Sequence, residues 1–382
     1  MKRLGSLGFL CLVAVILLSL VPITSAHDSV RGTTESASSA IPDSTAKGLA
    51  DGMAPRTEVN VSALPEAGSA RTLDIPPPAS LNGKRSDREG PARTPAQPSS
   101  QSFQTTISTS FDGLRYGDNS GISNTYFPPD VQLAVGPSHV VEMVNGVVGT
   151  WTKQGTSLQV VSLKDFFNTG SEEVGDPKVF YDSSSSRWFA SAFHPVAGTV
   201  EVAVSQTGDP TGLWWIYTVT AAAGYCPDQP ILAVSNDKVM ISANDFTSEC
   251  TGDFMGAEYF AINKAEMVAG RYTYYTYWGP DTLLFSVHPA HMLSSSSDIY
   301  MVSVWAGDSS IVRLFRITGL PTETDLASTQ WWDLPISPTK EPPAAPQLGS
   351  TYMLDPTDAR VTDAFFRQGT LWFSFTVACI PS

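Results

Sequence analysis

The stretch Pro128-Pro129-Asp130-Val131-Gln132-Leu133-Ala134-Val135-Gly136-Pro137-Ser138-His139-Val140-Val141-Glu142-Met143-Val144 decides the fold. Two short apolar runs flank a Gly-Pro-Ser turn, which is the signature of a β-hairpin. A single hairpin is marginal in water, so one copy would say little. The unit recurs. Asp176-Pro177 precedes Lys178 to Tyr181, the serine turn Ser183 to Ser186, and Trp188 to Phe193. Pro227-Asp228 precedes Ile231 to Val234, the turn Ser235-Asn236-Asp237, and Val239 to Ser242. Weaker copies follow Asp281, with Leu283 to Val287 and Ile299 to Val304, and Asp358, with Arg360 to Phe366, Gln368-Gly369, and Leu371 to Val377.

The starts are 46, 52, 53 and 77 residues apart. Each period leaves room for two more strands, as in Glu201 to Gln206 and Trp214 to Val219. Four strands in a period of roughly 40 to 50 residues predict the blades of a β-propeller. An all-β propeller of four-stranded antiparallel blades is therefore the expected fold. Five blade starts are visible, and only two strands follow the fifth. Either a strand near Phe103 to Phe111 completes the last sheet, or the chain is part of a longer one. The long interval after Asp281 leaves room for part of an extra blade around Gln330 to Ile336.

Outside the repeats the chain changes character. Of 382 residues, residues 27 to 102 contain no Phe, Trp or Tyr, whereas 38 of the 39 aromatic residues lie from Phe103 onward. The first of these segments cannot offset its ordering entropy with a core of its own. It is expected to be a disordered tether or pro-segment, leaving 103–382 as the folded domain. Before it, Lys2 and Arg3, the apolar run Leu7 to Val21, and Thr24-Ser25-Ala26 have the order of a secretory signal, with cleavage expected after Ala26. A secreted or cell-surface location follows.

Net charge is −14, and residues 103–382 carry 13 basic against 28 acidic groups. That balance argues against a nucleic-acid partner. No P-loop, HExxH or GxSxG pattern occurs, which leaves nucleotide chemistry, zincins and α/β-hydrolases without support. Nor is an integral membrane protein expected once the signal is removed.

Taken with Phe111-Asp112-Gly113-Leu114, Arg187-Trp188-Phe189 and Asp209-Pro210-Thr211-Gly212 before Trp214, the hairpins resemble a largely uncharacterised group of secreted bacterial β-propeller proteins, loosely sialidase-like in fold. Ser205 to Trp214 is similar to the sialidase Asp-box, a turn with a structural role, with one extra residue between Asp209 and Gly212. Phe315-Arg316-Ile317 echoes the sialidase arginine motif, but Thr318 stands where that motif has proline. Only seven arginines lie beyond residue 102, and no three of them form a recognisable carboxylate clamp.

Candidate chemistry rests on Asp130, Asp176, Asp228 and Asp358, which recur near one position of the repeat and would ring one mouth of the channel. They could be a catalytic carboxylate pair, ligands for a calcium ion, or acceptors that fix turns. His288 and His291 are close but read as turn residues. Trp215 and Trp332 are weak candidates for sugar stacking, since Trp214-Trp215 and Trp331-Trp332 are equally explained by packing between blades. Cys226 and Cys250 bracket a hairpin and are expected to form a disulfide in an oxidising compartment. No cofactor beyond possible calcium is implied. The expected function is binding of an extracellular glycan or protein at one mouth of the ring, with a glycoside hydrolase or lyase using the aspartates as the alternative.

Overall fold

The computed structural model describes residues 18–19, 52–67, 109–115 and 128–378, apart from 221–223, 248–249, 306, 308, 347–348, 350 and 352. Five antiparallel four-stranded blades surround a central channel, so the fold is a β-propeller. The first blade is Gln132–Val135, His139–Val144, Val147–Thr152 and Ser157–Ser162, from channel to rim. The second runs through Gly175–Asp182, Arg187–His194, Thr199–Ser205 and Leu213–Thr220, and the third through Cys226–Val234, Lys238–Phe246, Phe254–Asn263 and Tyr275–Asp281. The fourth contains His288–Pro289, Ile299–Ser303, Ser309–Thr318 and Ser328–Thr339. In the fifth, His291–Met292 lies parallel to Val361–Arg367, followed by Thr370–Phe375 and Leu18–Ser19.

Alternation along these strands sends side chains to both sheet faces, and successive blades bury them against each other. Four buried apolar clusters result. Trp188 and Trp214 anchor the one between the first and second blades, and Phe189, Tyr217 and Phe260 the next. Tyr259, Trp278 and Phe315 join the third to the fourth, and Val302, Leu314 and Phe373 the fourth to the fifth. Among the described residues no such cluster joins the fifth blade to the first. Val131, Leu133 and Val135 on that side are 54%, 61% and 53% exposed. Their counterpart in the second blade, Val179, is buried.

Two sequence expectations change here. The region Gln330 to Ile336 belongs to the outer strand of the fourth blade rather than to an extra blade. Residues 109–115 contain no strand, and 103–108 lie outside the described residues. In the full chain Leu18–Ser19, a dipeptide inside the signal-like segment 1–26 that cleavage after Ala26 would remove, pairs with the outer side of Thr370–Phe375.

Within the expected tether, residues 52–67 lie along the rim. Met53 bridges Thr273 of the third blade, Thr57–Asn60 adds a fifth strand to the second, and Ala67 donates its N–H to Val160 of the first at 2.8 Å. This strap needs no core of its own. An existing strand edge supplies its backbone partners, and Met53, Val59 and Val61 fill places on the rim.

The Asp-box-like segment is a turn device. Asp209 Oδ1 accepts from Thr211 N–H at 2.9 Å, Trp214 Nε1 donates to Pro210 O at 2.9 Å, and Ser205 Oγ accepts from Trp188 N–H at 2.8 Å. Arg316 pairs with Asp298 across the fourth blade. Cys226 and Cys250 form the expected disulfide, with Cα atoms 5.1 Å apart. Cys379 lies outside the described residues.

Candidate functional site

The inner strands of the first three blades start at one mouth of the channel, and each start is a sharp backbone turn. Asp130 and Asp176 have φ of 46° and 47°, as does Gln229 beside Asp228 at 50°. A left-handed conformation costs less for Asp than for most residues, because its short side chain bonds nearby backbone. In the second and third blades a bulge follows, between Gly175 and Lys178 and between Asp228 and Ile231. Such bulges re-aim side chains, and here they accompany convergence of three carboxyl groups.

Asp176 is hydrogen-bonded to Asp130 and to Asp228. Burial, the bond to Asp130 and the charge of Asp228 push Asp176 up to about 8. Burial also raises Asp228, against the opposing pull of the Gln229 backbone and Arg360. Asn145 ties the first two starts together: its Nδ2 donates to Asp130 Oδ2 at 2.6 Å, and its Oδ1 accepts from Asp176 N–H at 2.7 Å.

Asp358 joins this mouth through an intermediary. Its carboxylate is held by the Arg360 guanidinium at 2.8 and 2.6 Å, and the same guanidinium donates to Gln229. Arg360 also sits 4.8 Å over the Phe285 ring. All four predicted aspartates thus reach one end of the channel, but Asp358 is occupied by a salt bridge. Asp281 fixes a turn, accepting from Leu283 N–H at 2.8 Å.

The inner strands also line a cavity of about 470 Å³, whose walls include Leu133, Lys178, His288, His291, Asp363 and Phe365 and none of the four aspartates. His288 and His291 are channel residues on short inner strands rather than parts of a turn. Burial pushes His288 down to about 3, and its Nδ1 lies 3.0 Å from Pro289 O. Both groups are neutral at physiological pH, since burial lowers His291 as well. Lys178 is likewise lowered by burial, opposed by Asp176, Asp130 and Asp363. Lys178, Arg360 and Asn145 were missed in the sequence because each is polar within an otherwise ordinary strand or turn. Only the ring closes the distance between Arg360 and Asp228.

The aromatic candidates lie elsewhere. Trp215 is half-buried on the outer strand of the second blade, packed against Gly270, where a Cβ would come within 2.3 Å of its ring. Trp332 is 48% exposed on the outer strand of the fourth blade, so packing between blades does not account for it. Trp331 carries the Arg313 guanidinium at 4.4 Å.

Among the described residues no group of three or more His, Cys, Asp or Glu side chains is arranged to hold a metal ion. A second carboxyl pair, Asp245 and Glu258, is fully buried in the third blade beside Tyr277, and burial raises Asp245 to about 7. No helix among the described residues is long and apolar enough to cross a membrane.

No family model and no curated protein matches this sequence. Among solved structures, an exo-beta-1,3-galactanase from Phanerochaete chrysosporium is 10% identical with a TM-score of 0.34, over 67% of this chain and 64% of that one. The exo-beta-1,3-galactanase from Clostridium thermocellum is 11% identical with a TM-score of 0.34, over 70% and 64%. A subtype N11 neuraminidase-like protein of A/flat-faced bat/Peru/033/2010 is 7% identical with a TM-score of 0.33, over 66% and 72%. The chain thus spans 64% of the length of each galactanase. Likenesses this low carry no weight on activity.

Proposed function

We propose that this protein is exported and binds an extracellular glycan at the mouth formed by Asp130, Asp176, Asp228 and Arg360. The observation that carries this reading is the grouping of Asp130, Asp176 and Asp228 at one mouth of the channel, with Asn145 tying the first two together. Such a mouth offers acceptors at Asp130 and Asp228, and a donor at Arg360, whose guanidinium has N–H groups beyond the three bonded to Asp358 and Gln229. A ligand whose hydroxyl groups both donate and accept suits that combination. Export rests on the signal-like segment 1–26, and the Cys226–Cys250 disulfide fits an oxidising compartment.

Hydrolysis of a glycosidic bond is the second reading, favoured by one observation: a carboxyl held protonated to about 8 is in the form a general acid requires. Against it, an acid and its partner in such enzymes stand roughly 5 to 9 Å apart, whereas Asp176 touches both neighbours. Binding is therefore preferred.

The test is retention of the protein on insoluble neutral polysaccharides, with soluble sugar release scored in the same tubes, with and without calcium. Retention without release supports binding. Release abolished by Asp176→Asn would establish hydrolysis instead, and neither retention nor release would remove both readings.

A further inference from the structure

Beyond the carboxyl mouth, the same face of the propeller continues over the fourth blade. Phe285 links the two regions. Its ring lies under Arg360, packs edge-on against Phe254 at 5.4 Å, and meets Trp305 at 6.2 Å. Ser303 Oγ donates to Phe285 O at 2.9 Å and holds that segment to the blade. Past Trp305 lies a cavity of about 240 Å³, lined by Leu283, Leu284, Trp305, Ser309, Ile311 and Arg313. Trp305 is 46% exposed, and Leu283 and Ile311 are also open to solvent.

An exposed indole beside aliphatic side chains suits the apolar face of a sugar ring. Charge narrows the class further. Arg313 is bound to Asp333 at 2.7 and 2.8 Å, and Arg360 to Asp358. Both guanidinium groups next to this track are already neutralised, and the mouth itself is acidic. A uronic acid would find no unpaired arginine there and would be repelled by the carboxylates.

We infer that the Trp305 pocket is a second sugar subsite, so that the ligand is a neutral oligosaccharide running from the Asp130–Asp228 mouth across Phe285 to Trp305. This rests on the glycan-binding reading above and adds the ligand's charge and its minimum extent. A bound chain would stack one ring on Trp305 while another meets the mouth.

Calorimetric titration of the full chain with neutral gluco-, xylo- and galacto-oligosaccharides of increasing length, and with oligogalacturonates of the same lengths, tests this. For the best neutral series, affinity is expected to rise about tenfold once the chain reaches the pocket, the scale of one aromatic contact. Trp305→Ala should remove that rise, Trp305→Phe should keep most of it, and Asp228→Ala should weaken every length. Oligogalacturonates should bind at least about tenfold more weakly. A length dependence unchanged in Trp305→Ala, with Asp228→Ala still weakening binding, would overturn the subsite and leave the mouth standing. Equal affinity for oligogalacturonates would overturn the neutral class. No binding of any member by the wild-type chain would remove the mouth and the subsite together. Melting temperatures of the variants within a few degrees of wild type confirm that folding is not what is read.

Discussion

Asn145 accepts the backbone N–H of Asp176 through its Oδ1 at 2.7 Å, so one side chain of the first blade fixes the innermost turn of the second. Asn244 makes the same joint between the third and fourth blades, accepting Ser286 N–H at 2.8 Å. In both cases the receiving residue has positive φ, 47° at Asp176 and 44° at Ser286. A repeated polar joint therefore places the residues that ring the channel.

Asn145 Nδ2 also donates to Pro128 O at 3.0 Å, so Asn145→Ala should strand the Asp176 N–H and remove a donor from the Pro128 carbonyl and Asp130 Oδ2. Loss of a buried hydrogen-bond partner costs about 1–3 kcal/mol. Denaturant unfolding should show this for Asn145→Ala and for Asn244→Ala, and the former should also weaken glycan retention by displacing Asp176. Unchanged stability in both variants would mean that the turns hold without the joint.

Stability should fall as pH rises through neutrality. Burial raises Asp176 to about 8 and Asp245 to about 7, so both bind a proton more tightly folded than unfolded. That contribution is full below the unfolded carboxyl value near 4 and is lost as pH climbs through about 7 to 8. Asp182 acts in the opposite direction. Although burial opposes it, its bonds to Lys264 and Ser185 hold it below the ordinary range, so its contribution is lost as pH falls through the acid range. His288 and His291, which burial lowers, act with Asp182 at acid pH, since their contribution is full above about 6.5 and is lost as pH falls, so maximum stability is expected between about pH 4 and 7. Urea titrations across pH 3–9 should show that dome, and Asp245→Asn should flatten its alkaline side.

The rim strap contributes measurable stability. Val59 and Val61 are buried against the first two blades, so Val59→Ala should cost about 2 kcal/mol. Hydrogen exchange should then accelerate along Leu213–Thr220, the strand to which Thr57–Asn60 pairs. Unaltered exchange there would mean that the strap does not protect the edge.

Reduction of Cys226–Cys250 releases a loop spanning a sequence separation of 24. The chain-entropy estimate gives a loss on the order of 3 kcal/mol. Paired unfolding curves with and without reductant measure it.

The hairpins were legible because Asp-Pro starts, apolar alternation and Gly or Ser turns are local signals. Blade assignment failed where locality failed. The fourth blade's inner strand is only His288–Pro289, too short to show a period, so Ser328–Thr339 looked like the beginning of something new. The strap leaves no local signal for a different reason: Thr57–Asn60 borrows the edge of Leu213–Thr220, far along the chain, and aromatic content says nothing about borrowed edges. That Asp130, Asp176, Asp228 and Asp358 lie at one end of the channel was legible from their position in the repeat. Arg360, which occupies one of them, and Asn145, which aligns two, were not, because partnership across blades leaves no spacing to read.

Glycan binding at the carboxyl mouth is tested most directly by measuring retention and sugar release together for the wild type, Asp228→Ala and Asp176→Asn on neutral polysaccharides. Retention by the wild type, a loss of about tenfold or more in Asp228→Ala, a smaller loss in Asp176→Asn, and no released sugar are predicted. Released sugar that disappears in Asp176→Asn, or retention that is indifferent to Asp228, would contradict the account.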